Sequence, residues 1–144
     1  MKLLEQNALM MELREDPLLS WLPAEGLETM GNCFDMQAEA VSAGACCRSN
    51  GRLGYLLRGR GELTGEPGNR TAAPGSIFGV IIQEGTAHTV QACLRAETDC
   101  VLLWADGEIL RSVCYGACWF HARFIREVRG RLTPSNEAKF DLLF

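Results

Sequence analysis

The order of apolar patterns across residues 54–118 constrains the fold of this chain more than any other feature. The stretch opens on Gly54-Tyr55-Leu56-Leu57-Arg58-Gly59, whose short apolar run suits a buried strand. Gly59 and Gly61 then permit a bend or a close approach of backbones. Glu66-Pro67-Gly68-Asn69 reads as a hairpin tip, and Pro74-Gly75-Ser76-Ile77-Phe78-Gly79 as a glycine-rich corner. Residues 86–96 alternate, with Val90, Ala92, Leu94 and Ala96 on one face and Gln91, Cys93 and Arg95 on the other. That is the period of a half-exposed strand. Cys100-Val101-Leu102-Leu103-Trp104 is continuously apolar and predicts a strand buried on both faces. Short strands closed by tight turns make a mainly β fold, and 15 glycines in 144 residues supply those turns.

Helices flank this region. Leu3, Leu4, Ala8, Met11 and Leu13 suit an amphipathic first helix, ended near Pro17. Leu18, Leu19, Trp21 and Leu22 form an apolar plug ahead of Pro23. Between Asn32 and Arg52 the pattern is weak: short strands are expected at 34–36 and 40–42, and Asn50-Gly51 marks a turn. After Asp106-Gly107 a helix is expected over residues 108–131. One stripe of it is Leu110, Val113, Ala117, Phe120, Phe124 and Val128; a second is Cys114, Cys118, His121 and Ile125. So wide an apolar face buries two sides, one on the β region and one on a partner, which predicts a homodimer through residues 108–131. Thr133-Pro134 reads as the start of a short last helix.

Size and composition fit one soluble domain: 47% of residues are hydrophobic and 22% charged. The organisation expected is a helical cap over 1–30, a β region over 31–106, the long helix over 107–132 and a terminal helix over 133–144. The net charge of −4 gives little attraction to phosphate backbones. Arg123, Arg126, Arg129 and Arg131 are interleaved with apolar residues and read as a solvated helix edge. With no signal-like N-terminus and no apolar run of membrane-spanning length, a cytoplasmic location without membrane contact is expected. Seven cysteines, an odd number, argue against a complete disulfide framework.

The Tyr-Leu-Leu-Arg-Gly strand, the Pro-Gly-Ser-Ile-Phe-Gly corner, the segment Arg95-Ala96-Glu97-Thr98-Asp99-Cys100-Val101-Leu102 and the following helix together resemble the Crp/Fnr family of bacterial transcription regulators. Cys114-x-x-x-Cys118-x-Phe120-His121 resembles a helix start in a Clostridia-type branch of it. The resemblance spans residues 15–132. It implies a double-stranded β-helix, a cupin-like jelly roll, with an N-terminal helical cap and a long C-terminal dimerisation helix. It also implies a sensor that controls DNA binding through an attached winged helix-turn-helix. That domain would begin where this chain stops, at Phe144, so contact with DNA is expected only through a domain outside it. The alternative is a stand-alone β-roll that binds a ligand or a partner protein.

In cyclic-nucleotide-binding members of the family the corner reads Phe-Gly-Glu, and an Arg follows twelve residues after the Phe. Backbone N–H groups cradle the cyclic phosphate, the Arg neutralises it and the Glu takes a ribose hydroxyl. Here Phe78-Gly79 is present, but Val80 stands in the Glu position and Val90 in the Arg position. The slot implied is Phe78, Gly79, Val80, Thr89, Val90 and Gln91, and binding of cAMP or cGMP is not expected. Ile77, Val80, Ile81, Val90 and Ala92 suggest an apolar ligand or a filled interior.

Cys114, Cys118 and His121 share one helix face and could ligate a metal, although packing against a neighbouring element explains them equally simply. The vicinal Cys46-Cys47 could form a strained disulfide or remain buried thiols. No cofactor is expected. Metal-dependent cupin-like enzymes need clustered His and Glu on roll strands, and this chain has only His88 and His121, on different elements, so no enzymatic activity is expected.

Overall fold

The computed structural model describes residues 7–64, 69–79, 92–106, 123–124 and 126–128. Two helices, α1 (Asn7–Glu15) and α2 (Ala24–Cys33), precede eight strands. These are β1 (Gln37–Val41), β2 (Cys46–Arg48), β3 (Arg52–Arg58), β4 (Gly61–Thr64), β5 (Arg70–Ala72), β6 (Ile77–Phe78), β7 (Cys93–Ala96) and β8 (Cys100–Asp106). They form two four-stranded antiparallel sheets, ordered β1-β8-β3-β6 and β2-β7-β4-β5. Apart from the β4–β5 hairpin, which stays in the second sheet, successive strands alternate between the two sheets, which makes a β-roll.

The apolar patterns follow from which faces are covered. The β1-β8-β3-β6 sheet lies between two cores. Its outward side chains, among them Ala38, Leu53, Tyr55, Leu57, Ile77, Leu103 and Ala105, pack under the helical cap. Its inward side chains, Leu56, Phe78, Cys100, Leu102 and Trp104, meet Cys47, Leu63, Ala72, Leu94 and Ala96 of the second sheet. Strands β3 and β8 are therefore apolar on both faces, as their continuous runs require. The second sheet has only its inner face covered, so β7 alternates, with Leu94 and Ala96 buried and Arg95 exposed.

Asp16 joins the cap to the roll. Its backbone carbonyl accepts from the N–H groups of Leu19 and Ser20, and its Oδ1 accepts from Leu18 N–H at 2.9 Å, which folds the apolar plug into a compact turn. The same Oδ1 accepts the hydroxyl of Tyr55 on β3 at 2.8 Å. A second tie is the ion pair between Glu12 and Arg58; the hydrogen bonds from Arg58 hold the Glu12 carboxyl below its ordinary range. Arg58 is exposed and Glu12 partly so, and solvent screens the pair, so this tie orients the cap more than it stabilises it.

The segment leading into β1 differs from expectation in two places. The cap contains α2, which has little local signal in its sequence; its first turn is closed by Leu27 N–H on the Pro23 carbonyl. Residues 34–36 are not a strand: Asp35 takes φ 47° and ends α2, and Met36 N–H bonds back to the Gly31 carbonyl. That reversal tucks Phe34 into the cap core against the Phe124 ring at 5.2 Å, and the strand starts at Gln37. The turn expected at Asn50-Gly51 is present, with φ 51° and 78°. Gly59 has φ 91°, and a Cβ there would lie 2.4 Å from the Asp99 carbonyl oxygen, the close backbone approach anticipated from its sequence.

Residues 123–124 and 126–128 are helical, and Phe124 and Val128 are fully buried in the cap core. These two members of the first stripe are thus covered within the chain and form no part of a partner seam. The hairpin tip at 66–68, the remainder of the 108–131 helix and the terminal helix over 133–144 lie outside the described residues. No helix among the described residues is long and apolar enough to cross a membrane.

Phe34 and Phe124 are expected to hold the cap on the roll. Phe34→Ala should lower unfolding stability by about 3–5 kcal/mol in denaturant titration, the cost of an unfilled aromatic site; a loss under about 1 kcal/mol would show that the cap is not packed this way.

Candidate functional site

The slot implied by the sequence, Phe78, Gly79, Val80, Thr89, Val90 and Gln91, falls at the end of β6 and in the connection from β6 to β7. The two ends of that connection are described, whereas Val80, Ile81, Thr89, Val90 and Gln91 lie outside the described residues. At the entry, Phe78 is buried inside the roll, edge-on to the Trp104 ring at 5.5 Å. The two rings meet over Gly54, which pairs with Phe78 on one side and Trp104 on the other. A Cβ on Gly54 would lie 2.7 Å from Trp104 Cζ3 and 2.8 Å from Phe78 Cζ, so only glycine leaves room for this contact. Ile77 points the other way, into the cap core, and does not face the slot as expected; a two-residue strand sends neighbours to opposite faces.

Gly79 follows with φ 111°, a conformation that suits glycine, and a Cβ there would meet the Arg52 carbonyl oxygen at 2.4 Å and Ser49 Cβ at 2.7 Å. At the exit, Ala92 is held by the same Ser49. Its N–H donates to Ser49 Oγ at 3.1 Å, and its carbonyl accepts from Ser49 N–H at 2.9 Å. Ser49 is fully buried. One serine therefore packs against the start of the connection and hydrogen-bonds its end.

Local sequence sets the position of Ser49. Asn50 and Gly51 take φ 51° and 78°, and Arg52 N–H bonds the Ser49 carbonyl at 3.0 Å, a two-residue turn of the kind Asn-Gly favours. Arg52 Nε donates to the same carbonyl at 3.0 Å. Its guanidinium lies 4.1 Å from the Trp104 ring centroid, and Trp104 Nε1–H donates to Glu39 Oε2 at 2.8 Å. A chain of contacts thus runs from the slot's ends through Arg52 to Trp104 and Glu39. Cys47 lies on the inner face nearby; burial, with smaller contributions from Glu39 and Cys93, pushes its thiol up to about 12, so it stays protonated.

Arg70 is the other cation on the inner face. It pairs with Leu63 in register, is half-buried, and Nη2 donates to the Ile77 carbonyl at 2.6 Å. Burial lowers its pKa, and among the described residues it has no carboxylate partner. A surface groove of about 410 Å³ on the second sheet is lined by Gly44, Glu62, Arg95, Ala96 and Glu97 and lies away from these groups.

Sequence reasoning found the Phe78-Gly79 corner and the Asn50-Gly51 turn but not Ser49, Arg52, Trp104, Glu39 or Arg70. The turn was the available signal for Ser49 and Arg52. Glu39 and Trp104 are 65 positions apart, and no local pattern reveals such a pair. Cys114, Cys118 and His121 lie outside the described residues; among those described, no cluster of His, Cys, Asp and Glu could hold a metal ion.

No protein-family model and no curated protein matches the sequence. Solved structures do. A candidate cyclic nucleotide-binding protein from Geobacter metallireducens GS-15 superposes with a TM-score of 0.63 at 20% identity, covering 84% of this chain and 92% of the other. A cyclic nucleotide-binding domain from Methylobacillus flagellatus KT gives 0.62 at 14% identity, over 93% and 82%. The fold is that of a cyclic nucleotide-binding-like β-roll. The N-terminal domain of a transcriptional regulator from Streptomyces coelicolor A3(2) gives 0.50 at 19% identity, over 88% and 96%. In this β-roll Ser49 joins the two described ends, Gly79 and Ala92, of the connection that carries the expected slot residues.

Replacing Ser49 by alanine removes the acceptor for the Ala92 N–H without changing the turn. Ser49→Ala is expected to cost about 1–3 kcal/mol of stability, the penalty of a buried donor left unpaired. Denaturant titration measures it; an unchanged midpoint would show that the clasp carries no energy.

Proposed function

We propose that this chain is the effector-sensing domain of a Crp/Fnr-type bacterial transcriptional regulator, of the Clostridia-type branch, and that its slot accepts a ligand other than cAMP or cGMP. The observation that carries the reading is the Ser49 clasp. One buried residue packs against the start of the connection on which the slot residues lie and hydrogen-bonds its end, so the two ends of the slot are held to the same point of the roll. The order of motifs that resembles the family supports the regulatory role, as does the fold shared with the regulator domain from S. coelicolor.

The choice of ligand rests on Val80 and Val90. They stand where a ribose-binding Glu and a phosphate-binding Arg would be. Each charge-assisted hydrogen bond contributes about 1.5–3 kcal/mol, so losing two weakens cyclic-nucleotide binding by roughly two to four orders of magnitude. Arg70 does not restore it while its guanidinium is engaged with the Ile77 carbonyl. Calorimetric titration with cAMP and with cGMP should give no binding heat in the micromolar range; micromolar or tighter binding of either would overturn this choice.

Signalling then works by population shift. A ligand that fits one arrangement of the slot better biases the roll against the helix expected over 108–131, and so alters the dimer and any DNA-binding domain attached beyond it. The dimer seam on this reading is the second stripe, Cys114, Cys118, His121 and Ile125, since Phe124 and Val128 are buried in the chain's own cap. No catalysis is assigned. Ile125→Glu should convert a dimer to a monomer in analytical ultracentrifugation; a dimer of unchanged mass would refute this seam.

A further inference from the structure

The vicinal pair Cys46-Cys47 is split by the pleat of β2: Cys46 is exposed on the outer face and Cys47 is buried on the inner one. The thiol that Cys46 faces belongs to another strand. In the β2–β7 ladder Cys46 pairs with Arg95 and Arg48 with Cys93, so all four side chains share the outer face and the two cysteines are diagonal neighbours. Cys93 is half-buried, both thiols are free, and burial, with a smaller contribution from Cys46 beside it, raises the Cys93 pKa. Arg48 and Arg95 flank the pair, and Glu62 and Thr64 of β4 lie opposite Arg95 and Cys93.

We propose that Cys46 and Cys93 form a reversible cross-strand disulfide and are a redox-modification site of this domain. The oxidant is a hydroperoxide. The exposed Cys46 sulfur attacks the peroxide's distal oxygen, breaking the O–O bond to give a sulfenic acid and an alcohol or water. The Cys93 sulfur then attacks the Cys46 sulfur, the S–S bond forms, and the sulfenic oxygen leaves as water with the Cys93 proton. Two electrons pass from the two thiols to the peroxide, and a dithiol reductant reverses the step by exchange.

Geometry favours this pair over pairs with Cys47 or Cys100. Diagonal Cα atoms across an antiparallel ladder lie about 7–8 Å apart and a disulfide spans up to about 6.8 Å, so closure draws β2 and β7 together by on the order of an ångström. Cys47 lies on the far side of the sheet, and the Cys100 thiol is buried against the Arg60 and Thr98 carbonyls. Cys93 is the residue next to Ala92, and Arg48 the residue next to Ser49. The bond would therefore tighten the rung adjoining the slot's clasp, whichever ligand the slot takes.

The test is peptide mapping of the folded protein after treatment with hydrogen peroxide and alkylation of the remaining thiols. The expected result is loss of two hydrogen atoms in mass and one disulfide joining the peptides that carry Cys46 and Cys93, both restored by dithiothreitol. In Cys93→Ser, Cys46 should instead accumulate as a sulfenic acid trapped by a cyclic 1,3-diketone. The proposal is overturned if Cys46 and Cys93 both remain alkylatable, if the disulfide maps to another pair, or if Cys46 is carried to the sulfinic acid while Cys93 stays free. The wild-type mapping decides the matter even if the variant does not fold.

Discussion

Ser49 connects the two layers of this roll at the point where function is expected. It follows β2 directly, begins the turn into β3, packs on Gly79 and bonds Ala92 twice. Because it is fully buried, its hydroxyl could not sit there without a partner, and the Ala92 amide is that partner. Ala92 is thus fixed by hydrogen bonding and Gly79 by close backbone approach. Arg52 extends the constraint inward by lying over Trp104, whose indole N–H is anchored on Glu39.

The stability that makes such a clasp rigid comes from burying one sheet on both sides. Leu56 and Leu102 face the roll interior while Tyr55 and Leu103 face the cap, so each of these strands contributes to two cores. A fully buried large side chain adds about 1.5–3 kcal/mol, and the doubly covered sheet concentrates these contributions on β3 and β8. The second sheet, open to solvent on its outer face, is free to carry polar chemistry there. That is where the Cys46 and Cys93 thiols, Arg48, Arg95 and Glu62 are found. The division of labour between the sheets separates a rigid frame from a reactive surface.

Much of this was legible in the sequence, for physical reasons that can be named. The continuous run at 100–104 and the alternation at 93–96 report how many faces of a strand are buried, and both were read correctly. Asn50-Gly51 and Gly59 announced their backbone conformations, because few other residues adopt them. The helix α2 was hidden because its mixed composition, with Gly26 and Gly31 inside it, weakens any helical pattern, and tertiary packing of Leu27 supplies what propensity does not. Phe34 looked like a strand residue, yet Asp35 reverses the chain and makes it a cap residue. The site was half legible: the Phe78-Gly79 corner carries a local signature, while Ser49–Ala92 and Cys46–Cys93 are contacts between distant positions that only the sheet register brings together.

Native-state hydrogen exchange of the amides of Ser49 and Ala92 tests most directly whether the slot is clasped as described. The account predicts that both exchange only through global unfolding, with the same denaturant dependence as the central-strand amides of Leu56 and Leu102. Rapid exchange of the Ala92 amide under native conditions, while Leu56 and Leu102 stay protected, would contradict it.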